Sequence, residues 1–236
     1  MTPTTLLLLP GLLCDATVWR EQRAALHDVA CIVPDYGLAH SISDMARVAL
    51  ACVSAPRFSV AGHSMGGRVA LELARLAPER IERIALMDTG ITALAAGADG
   101  QREVDGRMAL LATARAQGMR AMGEQWASGM VHPSRLAAPV FDEILAMIER
   151  QSADRFAAQL RALIERPDAT AVLAALRCPT LLLCGRQDAW SPLARHEDMQ
   201  RHCPHARLVV VEDSGHMTTM EQPQAVIDAL RTWLAD

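Results

Sequence analysis

No stretch of this sequence approaches the roughly 20 consecutive apolar residues that a helix needs to cross a bilayer, which excludes a spanning segment. The apolar run Leu6–Leu13 has no Lys or Arg before it and is interrupted by Pro10-Gly11, so it reads as a buried first strand and not as a secretory leader. Lysine is absent: all 23 basic residues are arginines, a usage that reads as coding bias and carries no functional argument. Those arginines are scattered, and the net charge is only −4, so the stripe of positive charge that neutralises phosphates is missing and nucleic acid is not an expected partner. The six cysteines include no CxxC pair and no Cys/His cluster at zinc spacing, which argues against a metal site. Cys31 and Cys184 lie inside apolar segments where a free thiol behaves as a small hydrophobe, so a reduced, cytoplasmic protein is expected. Internal repeats and low-complexity linkers are also lacking.

What is present is a globular composition, 51% hydrophobic against 21% charged, in a chain of 236 residues. That length suits one α/β domain with an insertion and is too short for two independent domains of usual size. Short, nearly continuous apolar runs occur at Thr5–Leu9, Ala30–Pro34, Phe58–Gly62, Ile84–Asp88, Thr180–Gly185 and Arg207–Val211. Such runs are the mark of strands covered on both faces. Helical patterns alternate with them at Val18–His27, Ser43–Ser54, Met65–Leu76, Leu193–Cys203 and Pro223–Leu234, predicting a doubly wound, mostly parallel six-stranded sheet. Residues 91–176 break the rhythm, with no strand and four amphipathic helices near Glu103–Ala116, Met119–Gly129, Ala138–Arg150 and Ala153–Glu165. The expected organisation is a core of residues 1–90 and 177–236 with an all-helical cap, residues 91–176, above the carboxyl ends of the strands, where such sheets bind ligands.

The sharpest local signal is Gly62-His63-Ser64-Met65-Gly66-Gly67, a G-x-S-x-G directly after one strand and directly before one helix. In that setting the serine occupies a tight turn, small residues on either side let strand and helix pack closely, and the hydroxyl projects above the sheet. Two further segments supply partners. Asp188, in Gly185-Arg186-Gln187-Asp188 at the end of a buried strand, can hold an imidazole in the correct tautomer; Asp88, ending the preceding strand, is the competing acid. His216, in Ser214-Gly215-His216, follows the last strand and can exchange one proton with the serine. His27, His40, His63, His132, His196, His202 and His205 are read as surface or loop residues, with His63 a filler of the turn.

The order Ser64, Asp188, His216, carried by Gly-His-Ser-Met-Gly-Gly, Gly-Arg-Gln-Asp and Ser-Gly-His, resembles the α/β-hydrolase superfamily over about residues 4–90 and 177–235. The resemblance implies a sheet of six parallel strands in the order second, first, third, fourth, fifth, sixth, without the first two strands usual in that fold, and with an exposed first edge. It also implies an oxyanion hole made by the backbone N–H groups of Met65 and Leu12, with Leu13 as the other candidate beside Gly11; Pro10 stands where many relatives have histidine. A serine nucleophile disfavours the dehalogenases and epoxide hydrolases of the superfamily, which use aspartate.

The expected function is carboxylesterase action on a small-molecule substrate with a small or medium apolar acyl group. It would pass through an acyl-enzyme and need neither metal nor organic cofactor. Met108, Met119, Met122, Trp126, Met130 and Met147 of the cap suit either an adaptable acyl pocket or the packing of the cap itself. The same three residues also support cleavage of thioesters, amides or carbon–carbon bonds next to a carbonyl, or perhydrolysis; a ligand-binding protein on this fold is the non-enzymatic alternative. A monomer or homodimer is expected, with no membrane partner.

Overall fold

A computed structural model describes residues 4–236. In chain order the strands are β1 (Thr5–Leu9), β2 (Ala30–Ile32), β3 (Phe58–His63), β4 (Ile81–Met87), β5 (Thr180–Gly185) and β6 (Arg207–Val211). The helices are α1 (Arg20–Ala25), α2 (Ile42–Ala51), α3 (Met65–Leu76), α4 (Gly97–Gln117), α5 (Met119–Ala127), α6 (Pro139–Glu149), α7 (Ala153–Ile164), α8 (Thr170–Ala175), α9 (Leu193–His202), α10 (Thr218–Glu221) and α11 (Pro223–Ala235).

All six strands form one parallel sheet, as the alternation of patterns predicts, in the order β2-β1-β3-β4-β5-β6 that the resemblance implies. Consecutive residues of a strand point to opposite faces, so the burial of every residue from Leu6 to Leu9 and from Leu181 to Cys184 means that both faces are covered. α2, α3, α8 and α9 pack in a continuous row, while α1 and α11 pack against one another. The order reverses between β1 and β3, and the turns that leave these strands open on a common crevice, as expected at a switch of strand order.

Several boundaries differ from the sequence reading. β2 stops at Ile32 because Pro34 has no N–H to give a ladder, which leaves a three-residue edge, too short to recruit a stranger's strand readily. β4 begins at Ile81, which pairs with Phe58; Arg83 pairs with Ser59 and Glu82 falls at a shift of register, and neither of these two half-buried residues belongs to the apolar run. The helix expected at Val18–His27 is a 3-10 turn, Ala16–Trp19, capped by the Asp15 carboxylate and running into α1. Between β4 and β5 the chain forms five helices: α4 starts earlier than its apolar pattern, and the short α8 was not legible. α4 packs on α5 and α7, and α5 on α6. All six cysteines are free, Cys184 fully buried in β5.

Candidate active site

Ser64 lies between β3 and α3 with φ 54° and ψ −117°, a conformation that a residue with a Cβ adopts only under constraint and that costs on the order of 1–3 kcal/mol. The constraint is visible on both sides. A Cβ on Gly62 would stand 2.2 Å from the Gly66 carbonyl oxygen, and one on Gly66 the same distance from that of Leu9, so strand, turn and helix approach closely only as glycines. The Ser64 N–H donates to the Met87 carbonyl at 2.8 Å, and the Thr89 hydroxyl donates to the Ser64 carbonyl at 2.7 Å.

The turn delivers the hydroxyl to His216. His216 Nε2 lies 2.8 Å from Ser64 Oγ, and His216 Nδ1 lies 2.8 Å from Asp188 Oδ2. A carboxylate can only accept, so the proton sits on Nδ1 and Nε2 offers a lone pair to the serine O–H. The other oxygen of Asp188 accepts from the N–H groups of Trp190 and Ser191 at 2.8 and 2.9 Å. Burial alone would raise the Asp188 carboxyl; the His216 charge, the imidazole hydrogen bond and the two amides outweigh it and hold the group at about 2. The structure therefore joins Ser64, His216 and Asp188 in one row. Asp88 makes no hydrogen bond to His216; it accepts instead from the Thr218 hydroxyl at 2.5 Å and the Gly185 N–H at 3.1 Å.

The loop that carries His216 is held at nearly every polar atom. Its own N–H donates to the Met130 carbonyl at 2.6 Å, and its carbonyl accepts from His63 Nε2 at 2.8 Å. Glu221, buried at the end of α10, accepts from the Gly215 and Met217 N–H groups at 3.0 and 3.1 Å and from the His132 N–H at 2.7 Å. His63 thus does more than fill the turn: burial, and then the nearby His216 charge, push it down to about 4, so it stays neutral with its proton on the nitrogen that supports the neighbouring carbonyl. His196 also departs from the surface placement, because α9 turns it inward with Met199, where it is fully buried and accepts from the Thr89 N–H at 3.3 Å.

The two N–H donors expected for an oxyanion also border the site. Met65 opens α3, so no carbonyl of its own helix faces its N–H. Between the two candidates after Gly11, the Leu13 N–H is taken by Gln159 Oε1 of α7 at 2.8 Å, whereas that of Leu12 makes no hydrogen bond among the described residues. Leu13 is at φ 58°, so Gln159 pins a strained residue from a distance of 146 positions along the chain. Nothing in the local sequence signalled Gln159 or Glu221: the fold brings the Leu13 N–H to the first and the His132 N–H to the second, beside two amides near it in the chain.

Above Ser64 lies a cavity of about 480 Å³ bordered by Leu12, Met65 and His216 and roofed by residues of α4, α5 and α7. Trp190 sets its ring centroid 5.1 Å from His216 and stacks at 5.1 Å on Trp126, which meets Phe156 at 6.2 Å, so an apolar wall shields the imidazole. Of the six large side chains singled out in this segment, Trp126 and Met130 border the cavity; Met119, Met122 and Met147 are buried in packing and Met108 is exposed. Cys14 borders the cavity too, but burial and then the Asp15 charge push its thiol up to about 12, so it is no rival nucleophile. Among the described residues no group of three or more His, Cys, Asp or Glu side chains is placed to hold a metal ion, and no helix is long and apolar enough to cross a membrane.

A sequence profile described as the alpha/beta hydrolase family matches residues 6–229. RutD of Enterobacter cloacae subsp. cloacae, whose name assigns it carbamate hydrolysis, is 26% identical over 249 residues, covering 97% of this chain and 90% of that protein. The pimeloyl-[acyl-carrier protein] methyl ester esterase of Nitrosomonas europaea is 28% identical over 238 residues, covering 94% of this chain and 92% of its own length. Among solved structures, a thermophilic esterase from Thermogutta terrifontis with malate bound superposes with a TM-score of 0.87 at 29% identity, covering 98% of this chain and 89% of that one.

Proposed function

This chain belongs to the alpha/beta hydrolase family, and from that premise we propose that it is a serine carboxylesterase acting through Ser64, His216 and Asp188. The reading is carried by the unbroken row of hydrogen bonds from Asp188 through His216 to Ser64 Oγ. His216 takes the serine proton as the oxygen attacks the ester carbonyl, Asp188 holds the imidazolium that results, and the N–H groups of Leu12 and Met65 receive the oxyanion. Return of the proton expels the alcohol and leaves an acyl-enzyme. Water, activated by the same imidazole, then releases the acid. In this reading residues 91–176 are a lid, and the wall of Trp126, Met130, Phe156 and Trp190 receives a small or medium apolar group next to the scissile carbonyl. The carbonyl of a carbamate meets the same nucleophile, so a carbamate belongs in the test panel beside esters, thioesters and lactones.

The test is a burst experiment with p-nitrophenyl acetate. Rapid release of about one equivalent of nitrophenolate, then a slower steady rate, with both lost in Ser64→Ala, is the expected result. Absence of turnover on every ester, thioester, lactone and carbamate offered would overturn the proposal in favour of a binding protein on a hydrolase fold.

A further inference from the structure

The wall of the cavity away from the indole rings is of another character. Arg68, Arg102, Arg107, Arg166 and Arg195 all border it, and they come from four separate stretches of chain. Facing them are two carboxyl groups, Glu103 and the deeply buried Asp88. Glu103 is already shared: Arg166 clasps it with two nitrogens at 2.6 and 3.0 Å, and Arg107 approaches at 3.0 Å, which hold it at about 2 although burial alone would raise it. Arg102 points outward to Asp99. Asp88 is favoured in its neutral form by burial and by Asp188. Asp168, outside this wall, is exposed and accepts from the Thr170 N–H.

Two guanidinium groups, those of Arg68 and Arg195, therefore remain outside any ion pair among the described residues, although the charges of Glu103 and Asp168 both reach Arg68. Arg68, half-buried, spends one nitrogen on the Thr92 carbonyl at 2.9 Å, and Arg195, exposed at the rim, makes no side-chain hydrogen bond among the described residues. Burial, then the charges of Arg166 and Arg195, push Arg68 down to about 9, so it is still charged at neutral pH but crowded by its own kind. Its position is telling. It lies four residues beyond Ser64 on α3, about 6 Å along the helix axis at 1.5 Å per residue, and helical side chains lean back toward the N-terminus, here toward the nucleophile. A cavity that opens on Ser64 at one end and on donor-rich cations outside any ion pair at the other suits a molecule with an anionic far end.

We infer that the substrate is an ester whose far end carries a carboxylate, a half-ester of a short dicarboxylic acid or the equivalent, with Arg68 and Arg195 as the anion subsite. This rests on the esterase reading of the same cavity. The apolar rings take the part of the chain next to the scissile bond, and the arginines fix its length and register. Their role is in binding; neither guanidinium touches the reacting atoms.

The test compares monomethyl esters of C4 to C8 dicarboxylic acids with methyl esters of the matching monocarboxylic acids, followed by acid release at low ionic strength. The expected result is a preference in kcat/KM of about tenfold or more for the half-ester at one chain length, cut severalfold by 0.5 M salt and by Arg68→Gln or Arg195→Gln. Trp126 and Trp190 give a second readout that needs no turnover: in Ser64→Ala, adipate or glutarate should change tryptophan fluorescence at concentrations at least tenfold lower than hexanoate or pentanoate. Equal kcat/KM for charged and neutral partners at all lengths, or a preference untouched by both arginine substitutions in folded protein, would overturn the subsite and leave the esterase standing. Anion binding in Ser64→Ala together with no hydrolysis of any ester would keep the subsite and remove the esterase.

Discussion

Asp88 and Asp188 follow neighbouring parallel strands, are both almost wholly buried, and lie close enough for each to feel the other, yet their surroundings favour opposite charge states. After β5, Asp188 finds an imidazole N–H and two backbone amides. After β4, Asp88 finds one hydroxyl and one amide, while His63, 3.7 Å away, gives its proton to the His216 carbonyl instead. Burial raises both groups, and what separates them is the number of donors, together with a neighbouring charge of opposite sign for one and of like sign for the other. A buried carboxylate stays ionised where the fold supplies enough protons to face it. Otherwise it keeps its own.

The strongest way to break the comparison is to exchange each acid for its amide. Asp188→Asn removes the acceptor that fixes the Nδ1 proton and is expected to lower kcat about 10³- to 10⁴-fold, in the range of Ser64→Ala or His216→Ala, by steady-state assay on an activated ester. Asp88→Asn, replacing a group whose neutral form burial favours, should stay within a few-fold. Losses of equal size in the two amides would refute the division of roles. Glu221→Gln comes next: one carboxylate serves three amides of the His216 loop and its neighbour, so the variant should lose about tenfold in kcat, and unfolding in urea should report about 1–3 kcal/mol of lost stability. Gln159→Leu strands the Leu13 N–H and should cost about 1–2 kcal/mol by the same measurement, with kcat falling more than KM rises.

The last comparison is one of pH, and its sign differs between the two acids. Asp188 is ionised in the folded state down to about 2, so its contribution is full above the ordinary carboxylate range near 4 and is lost as pH falls from there toward about 2. For Asp88, whose value is raised, the folded state binds the proton more tightly, so stability drains as pH rises through and above that ordinary range. Unfolding free energies from urea titrations at pH 4, 6 and 8 should therefore fall in the parent relative to Asp88→Asn, by no more than about 1.4 kcal/mol per pH unit. A parallel pair of curves would assign Asp88 an ordinary titration.

The sheet was legible because its information is local: runs of buried apolar residues, with a helix period between them, name both the element and its covering. The turn at Ser64 was legible for the same reason, since Gly62 and Gly66 sit beside it in the chain as well as in space. Asp188 could be preferred to Asp88 only as one of two acids ending adjacent strands, and the hydrogen bond to His216 Nδ1 is what separates them. His196 and Gln159 gave no signal because each meets a backbone N–H from a remote part of the chain, and Glu221, which adds the distant His132 N–H to two nearby ones, looks in sequence like an ordinary polar residue of a helix. The start of α4 at Gly97 was missed because its first turn holds glycines and an aspartate, poor helix formers that tertiary contacts override.

The bonds around His216 also bear on how a substrate could arrive. Met130 and His132, which follow α5, are moored to the His216 loop by its N–H and by Glu221, so this corner of the helical segment cannot swing outward without unseating the imidazole. Widening the cavity at this corner would therefore disconnect the hydrogen bonds that fix the His216 loop.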